Sequence, residues 1–171
     1  MVVQDKPRLS FENFLDQEAT AEFRSEYHDG ERVLMPGGTF NHNRIARNFV
    51  SEFNTASKGQ PYEIFINDVV LWLPVYHKST YPDLMIVAGE VETLPERHNV
   101  ILNPSVIIEV LSDSTEAYDR GDKFQLYRSL ASFREYVLVS QNVMHVDQFV
   151  KTEGGQWLLS YYDGENAVLK L

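Results

Sequence analysis

The 171-residue sequence contains no cysteine. Disulfides, thiol catalysis and cysteine-based zinc or iron–sulfur sites are thereby excluded, and the composition fits a reducing compartment. No apolar run approaches the roughly 20 residues that a membrane helix requires, and MVVQDKPRLSFENFL has no continuous apolar stretch of the signal-peptide kind. The expectation is a soluble cytoplasmic protein with no membrane partner. Internal repeats, low-complexity tracts and linkers are also missing, so one domain over residues 1–171 is expected, a length that suits one hydrophobic core better than two. Positive charge is scarce: 15 Lys and Arg stand against 25 Asp and Glu, a net charge of −10. Such a surface repels a polyanion at long range, so nucleic-acid binding here would need a divalent cation or a local basic patch.

The apolar pattern is that of a mixed α/β or α+β chain. Ser10 is placed to cap a helix over residues 11–25, and a His28-Asp29-Gly30 turn leads into a strand over 31–35, which Pro36-Gly37-Gly38 breaks. Thr39 or Asn41 caps a second helix reaching about residue 54, with Ile45, Ala46, Phe49, Val50 and Phe53 on one face. Strand-like segments follow at 62–66, 69–73 and 81–87; a polar loop separates them from SVIIEVL (105–111), whose nearly unbroken apolar character suits a strand covered on both faces. A helix over 119–131 and a strand over 135–140 come next. Antiparallel strands at 144–151, 157–162 and 167–171 form the tail, joined by Gly154-Gly155 and Asp163-Gly164 turns. The central order is α-β-β-β-α-β, expected as a mixed central sheet flanked by helices with an antiparallel C-terminal extension.

Three polar residues interrupt this pattern. Glu109 lies inside SVIIEVL, on the face shared with Ile107 and Leu111. A carboxylate there is costly unless it is paired or bound to a cation; an arginine partner or a solvated strand end is the alternative. Lys123 falls within the apolar stripe of Phe124, Leu126, Tyr127, Leu130 and Ala131, either reaching inward or snorkelling and pairing with Asp119. His42 sits in the sector of Phe49 and Phe53, as a catalytic group or as a satisfied core or capping residue. Asp83 follows Pro82, which stiffens the backbone that presents it. Asp83 and Glu109 on adjacent strands would suit Mg²⁺ or Mn²⁺, with the Val110 carbonyl completing the protein's share of the ligands. Such an ion polarises a phosphate and activates a bound water, and Lys123 would support that water or the transition-state charge.

YPDLMIVAG, NPSVIIEVLS and STEAYDRGDKFQLYRSLASFREYVLVSQ together resemble the Uma-type "putative restriction endonuclease" family, expanded in cyanobacteria, within the PD-(D/E)XK nuclease superfamily. The likeness runs from about Phe11 through SEYHDGERVLMPGGTFNHNRIARNF to MHVDQFVKTEGGQWLLSYYDGENAVLKL. It implies a restriction-endonuclease-like core in which Asp83 matches the motif's aspartate and Glu109 its second acid. The motif's lysine position, two residues on, is Leu111 here; the resemblance implies that Lys123 on the following helix takes its place. It also implies a further acidic residue from an earlier element, either Glu31 or Glu26, and matches His42 to a histidine of that family. The activity so implied is Mg²⁺- or Mn²⁺-dependent hydrolysis of DNA phosphodiesters, with a homodimer as a plausible assembly for double-strand cutting. A non-catalytic nucleic-acid- or protein-binding module on the same fold is the other reading, because fold alone does not establish function.

Overall fold

The structure, a computed structural model, describes residues 8–171; the first seven, part of the stretch read for a signal sequence, lie outside the described residues. Helix α1 (Phe11–Glu18) precedes the hairpin β1 (Ser25–His28) and β2 (Glu31–Leu34), and α2 (Phe40–Ala56) follows. Next come β3 (Tyr62–Ile66), β4 (Val70–Leu73), β5 (Lys78–Thr80), β6 (Leu84–Ala88), β7 (Thr93–Leu94), β8 (Arg97–Ile101) and β9 (Val106–Leu111). One helical segment then runs from α3 (Glu116–Tyr118) through a π-helical turn (Asp119–Lys123) into α4 (Phe124–Tyr127). The last strands are β10 (Glu135–Ser140), β11 (His145–Lys151) and β12 (Trp157–Asp163).

The strands form two six-stranded sheets, ordered β2-β1-β5-β4-β8-β7 and β12-β11-β10-β9-β6-β3. The expected α-β-β-β-α-β order survives as α2, β3, β6, β9, α3–α4 and β10, with all four strands in the second sheet. Only β9 and β10 run parallel in that sheet, joined through the helical segment. The structure departs from the sequence expectation in having a second sheet. Residues 69–73 enter it instead of the central one, and the supposed polar loop after residue 88 contributes β7 and β8. Those strands are short and half-polar, so their alternation is too weak to read alone.

Local chemistry explains the other differences. Ser10 caps α1 by accepting from the Asn13 N–H, but the helix stops at Glu18 instead of reaching residue 25. Glu18 turns its carboxylate onto the Ser25 N–H at 2.7 Å and onto Arg32 at 3.1 Å, which anchors the start of β1 where the helix was expected to continue. Residues 167–171 are not a strand: the Lys170 carbonyl accepts from the Gln148 side chain at 2.7 Å, and Leu169 packs onto the sheet face near Phe49 and Ile108.

Three apolar clusters hold the layers. Phe14 and Leu15 of α1 pack against Tyr27, Val70 and Val100 of the first sheet. Phe49, Val50 and Phe53 of α2 cover Leu84, Ile86, Ile108 and Val137 on one face of the second sheet, as the helical pattern predicts. The largest cluster joins Leu71 and Leu73 to Met85, Ile107, Leu111 and Tyr136 and to Leu126 and Tyr127 of α4. Strand β9 is therefore apolar on both faces because both are covered, and each fully buried Ile contributes about 1.5–3 kcal/mol to that packing.

At the edge of the second sheet, His145 of β11 bonds Asp163 of β12 at 2.7 Å and Asp147 at 3.0 Å. These two carboxylates hold the imidazole above its ordinary value near 6.5. A raised folded-state value stabilises the fold fully below about pH 6.5, and that contribution disappears as pH rises through the folded value. Thermal melting of His145→Gln should therefore show a deficit against wild type at pH 5.5 that shrinks or vanishes at pH 8.5; a deficit independent of pH would rule this linkage out.

Candidate active site

The site forms where β6 and β9 part. Their antiparallel pairing ends at Leu84↔Ile108, while β9 continues to Leu111 and the chain before β6 bends away through Tyr81-Pro82-Asp83. Backbone groups of β9 beyond that point need new partners. Asp83 provides one: its Oδ2 accepts the Val110 N–H at 2.7 Å. The Asp83 N–H in turn donates to Glu109 Oε2 at 3.2 Å. Asp83 thus sits on the bend before its strand, not within it as the sequence pattern placed it, and it is directly beside Glu109.

Glu109 is 2% exposed, so its charge depends on its neighbours. Lys123 Nζ lies 3.0 Å from Oε1, and the Tyr127 hydroxyl donates to the same oxygen at 2.8 Å. Lys123 also pairs with Asp119 at 2.9 Å, so the two sequence alternatives for this lysine coexist: it reaches Glu109 and forms the i,i+4 pair. The Asp119 contact is an ion pair without hydrogen-bond alignment. Burial alone would lower the Lys123 ammonium, but Glu109, Asp119 and Glu26 raise it well above its ordinary value. Burial pushes the Glu109 carboxyl up; Lys123 opposes this, while Asp83 and Asp119 add to it.

The other expected residues divide. His42 Nε2 meets Asp83 Oδ2 at 2.9 Å, and that hydrogen bond raises the imidazole against the opposing effect of burial. The Val110 carbonyl faces the Asp83 side, because an extended residue directs its N–H and C=O the same way. Glu31 is exposed on β2, and among the described residues no hydrogen bond or ion pair joins it to this cluster. Glu26, across the hairpin, is the acid brought near: it is 5% exposed, accepts from the Tyr118 hydroxyl at 3.2 Å and pairs with His28 at 2.9 Å. Leu111 is buried in the largest apolar cluster, as a leucine in the motif's lysine position should be. Tyr118 was not singled out from sequence, Tyr127 was read only as part of the apolar stripe, and Asp119 only as a pairing partner of Lys123. The available signal was a tyrosine hydroxyl in an otherwise apolar helix stripe, which demands a buried partner.

Glu26, His42, Asp83, Glu109, Tyr118 and Lys123 line a cleft of about 770 Å³. Its walls are acidic: Glu26, Asp83, Glu109 and Asp119 lie deep and Glu22, Asp68 and Asp113 also line it, against Arg24 and Lys123 as cations. Among the described residues no three His, Asp or Glu side chains converge in metal-ready geometry. The protein's own donors are two adjacent carboxylates and a backbone carbonyl, a hard oxygen set in a region of excess negative charge. That set fits Mg²⁺ or Mn²⁺, which keep several waters, and does not fit a soft metal.

Comparison with other proteins agrees with this fold. The chain is 34% identical over 170 residues to an uncharacterized protein of Synechocystis sp., covering 99% of this chain and 96% of the relative. A second uncharacterized Synechocystis protein is 32% identical over 160 residues, covering 94% and 83% respectively. The crystal structure of a putative nuclease belonging to DUF820 from Anabaena variabilis superposes with a TM-score of 0.75 at 18% identity, covering 95% of this chain and 89% of that one. The structural likeness establishes a shared nuclease-type fold. A family described as "Putative restriction endonuclease", Uma2, matches residues 11–171, and the chain belongs to that family.

Proposed function

We propose that the protein is a divalent-cation-dependent endonuclease that hydrolyses phosphodiester bonds in DNA. The observation that carries this reading is the meeting of Asp83, Glu109 and Lys123 at the parting of β6 and β9, inside an acidic cleft. Asp83, Glu109 and the Val110 carbonyl would hold Mg²⁺ or Mn²⁺, which when bound supplies Lewis-acid polarisation of the phosphate and a water of lowered pKa. The chain's own contribution is positioning. Val110 N–H and His42 orient the Asp83 carboxylate, and Tyr127 and Lys123 orient that of Glu109. Lys123, held as an ammonium by the carboxylates around it, would offer further N–H donors for an attacking water or for charge developing on the phosphoryl oxygens. A non-catalytic binding module is the second reading, favoured by the internal donors that already engage Asp83 Oδ2 and both oxygens of Glu109.

Three measurements separate these readings. Calorimetry should detect Mn²⁺ binding on the order of micromolar to millimolar dissociation constants, as two carboxylates allow. Glu109→Ala should abolish it, and equal binding in that variant would refute the assigned site. Supercoiled plasmid should be nicked slowly with Mg²⁺ or Mn²⁺, and Lys123→Ala should lose at least the roughly hundredfold typical of removing one transition-state donor. The same residual rate in both proteins would leave the binding-module reading. Urea denaturation of Lys123→Met should show a loss of about 3–5 kcal/mol, since it strands two buried carboxylates. Adding Glu109→Leu to that variant should recover part of it; no recovery would mean that the pair is not the source of the loss.

A further inference from the structure

We infer that the mouth of the cleft is a subsite for one unstacked base beside the cleaved phosphate, so that the substrate is single-stranded or locally opened nucleic acid, not an intact duplex. This rests on the nuclease reading. Phe23 and Leu34 are 65% and 68% exposed and Val33 is 41% exposed, yet all three line the cleft that holds Asp83 and Glu109. The backbone of Val33 and Leu34 is fixed: β1 and β2 pair from Ser25↔Leu34 to His28↔Glu31, and the Met35 N–H donates to the Arg24 carbonyl, next to Phe23 in the chain, at 3.0 Å. Val33 opposes Glu26 in that register and so shares its face of the hairpin. Scattered exposed hydrophobics need no explanation, but these three border one polar, acidic cleft, Val33 and Leu34 from opposite faces of β2.

Charge identifies the occupant. A duplex footprint needs several Lys or Arg to neutralise successive phosphates. Among the described residues, the cleft offers Arg24 and Lys123, and Arg24 lies 3.5 Å from Asp68. Inside the cleft, electrostatic contact is therefore limited to about one or two phosphates, and further affinity there must come from uncharged contacts. Stacking on an aromatic or apolar side chain is the contact a base provides whatever its identity. A base exposes that face only after leaving the helical stack. A cleft of about 770 Å³ is of the size that encloses a nucleotide-sized group.

The test is fluorescence polarisation with a labelled single-stranded oligodeoxythymidine, the same strand carrying abasic sites, and its duplex with oligodeoxyadenosine, with Ca²⁺ as the divalent ion. The single strand should bind more tightly than the duplex, and loss of the bases should weaken binding roughly ten- to hundredfold, as the removal of one stacking contact does. Phe23→Ser and Leu34→Ser, both at exposed positions, should lose that discrimination while their melting temperatures and Mn²⁺ isotherms stay as in wild type. The log–log salt slope should be shallow, about −0.7 to −1.4, as one or two phosphates give on a single strand. Duplex binding as tight as that of the single strand, or abasic binding equal to intact, overturns the subsite; Glu109-dependent plasmid nicking in that case leaves the nuclease reading standing. If neither form is bound and neither is cut in a Glu109-dependent way, both are overturned.

Discussion

A carboxylate buried in the middle of a core strand is an expense that the rest of this fold is arranged to offset. Three donors meet Glu109: the ammonium of Lys123, the hydroxyl of Tyr127 and the backbone N–H of Asp83. Each comes from a different constraint. Lys123 and Tyr127 arrive because the helical segment must cover the face of β9 that carries Ile107 and Leu111. Asp83 arrives because the chain before β6 leaves the sheet one residue after the pairing ends. The interaction is both a local structural requirement and the origin of the site, since the groups that make Glu109 tolerable also leave an excess of negative charge around it.

That excess bears on the protein's overall sign. A net charge of −10 argues against a protein that clings to a polyanion through its surface. The cleft repeats the same sign at close range, where a divalent cation would convert it from repulsive to attractive for a single phosphate. Recognition confined to a point suits a surface with little basic area, and it makes uncharged contacts near that point more important than they would be for a basic nuclease.

Much of this was legible in the chain. SVIIEVL, read as a doubly covered strand, made Glu109 conspicuous because a single acid there breaks an apolar run. Lys123 stood out for falling in the apolar stripe of its helix. The packing face of α2 and the strand at 135–140 followed directly from periodicity. What could not be read depends on contacts distant in sequence. Glu18 ends α1 through partners in β1 and β2, and β4, β5 and β8 find their sheet only through pairing, β5 with β1 and β4, and β4 with β8. Glu26 and Glu31 looked equivalent as acids flanking one turn, and the register places them on the same face of the hairpin; the approach of Tyr118 buries the first, and the second stays in solvent. The bend at Asp83 depends on where β6 stops pairing, which no local pattern records.

The π-helical turn at Asp119–Lys123 has a consequence for length as well as for composition. An α-helix advances by about 100° per residue, so one extra residue in a turn rotates everything beyond it relative to everything before. Here the first part of the segment is phased so that Tyr118 faces Glu26 and Arg120 faces Asp147, while the second is phased so that Tyr127 faces Glu109 and Leu126 enters the core. A regular α-helix over the same residues would rotate one set of contacts against the other by about 100°. The segment between β9 and α4 therefore acts as a ruler: its residues can be exchanged wherever their chemistry permits, but a deletion of one would force a choice between its outer and inner contacts.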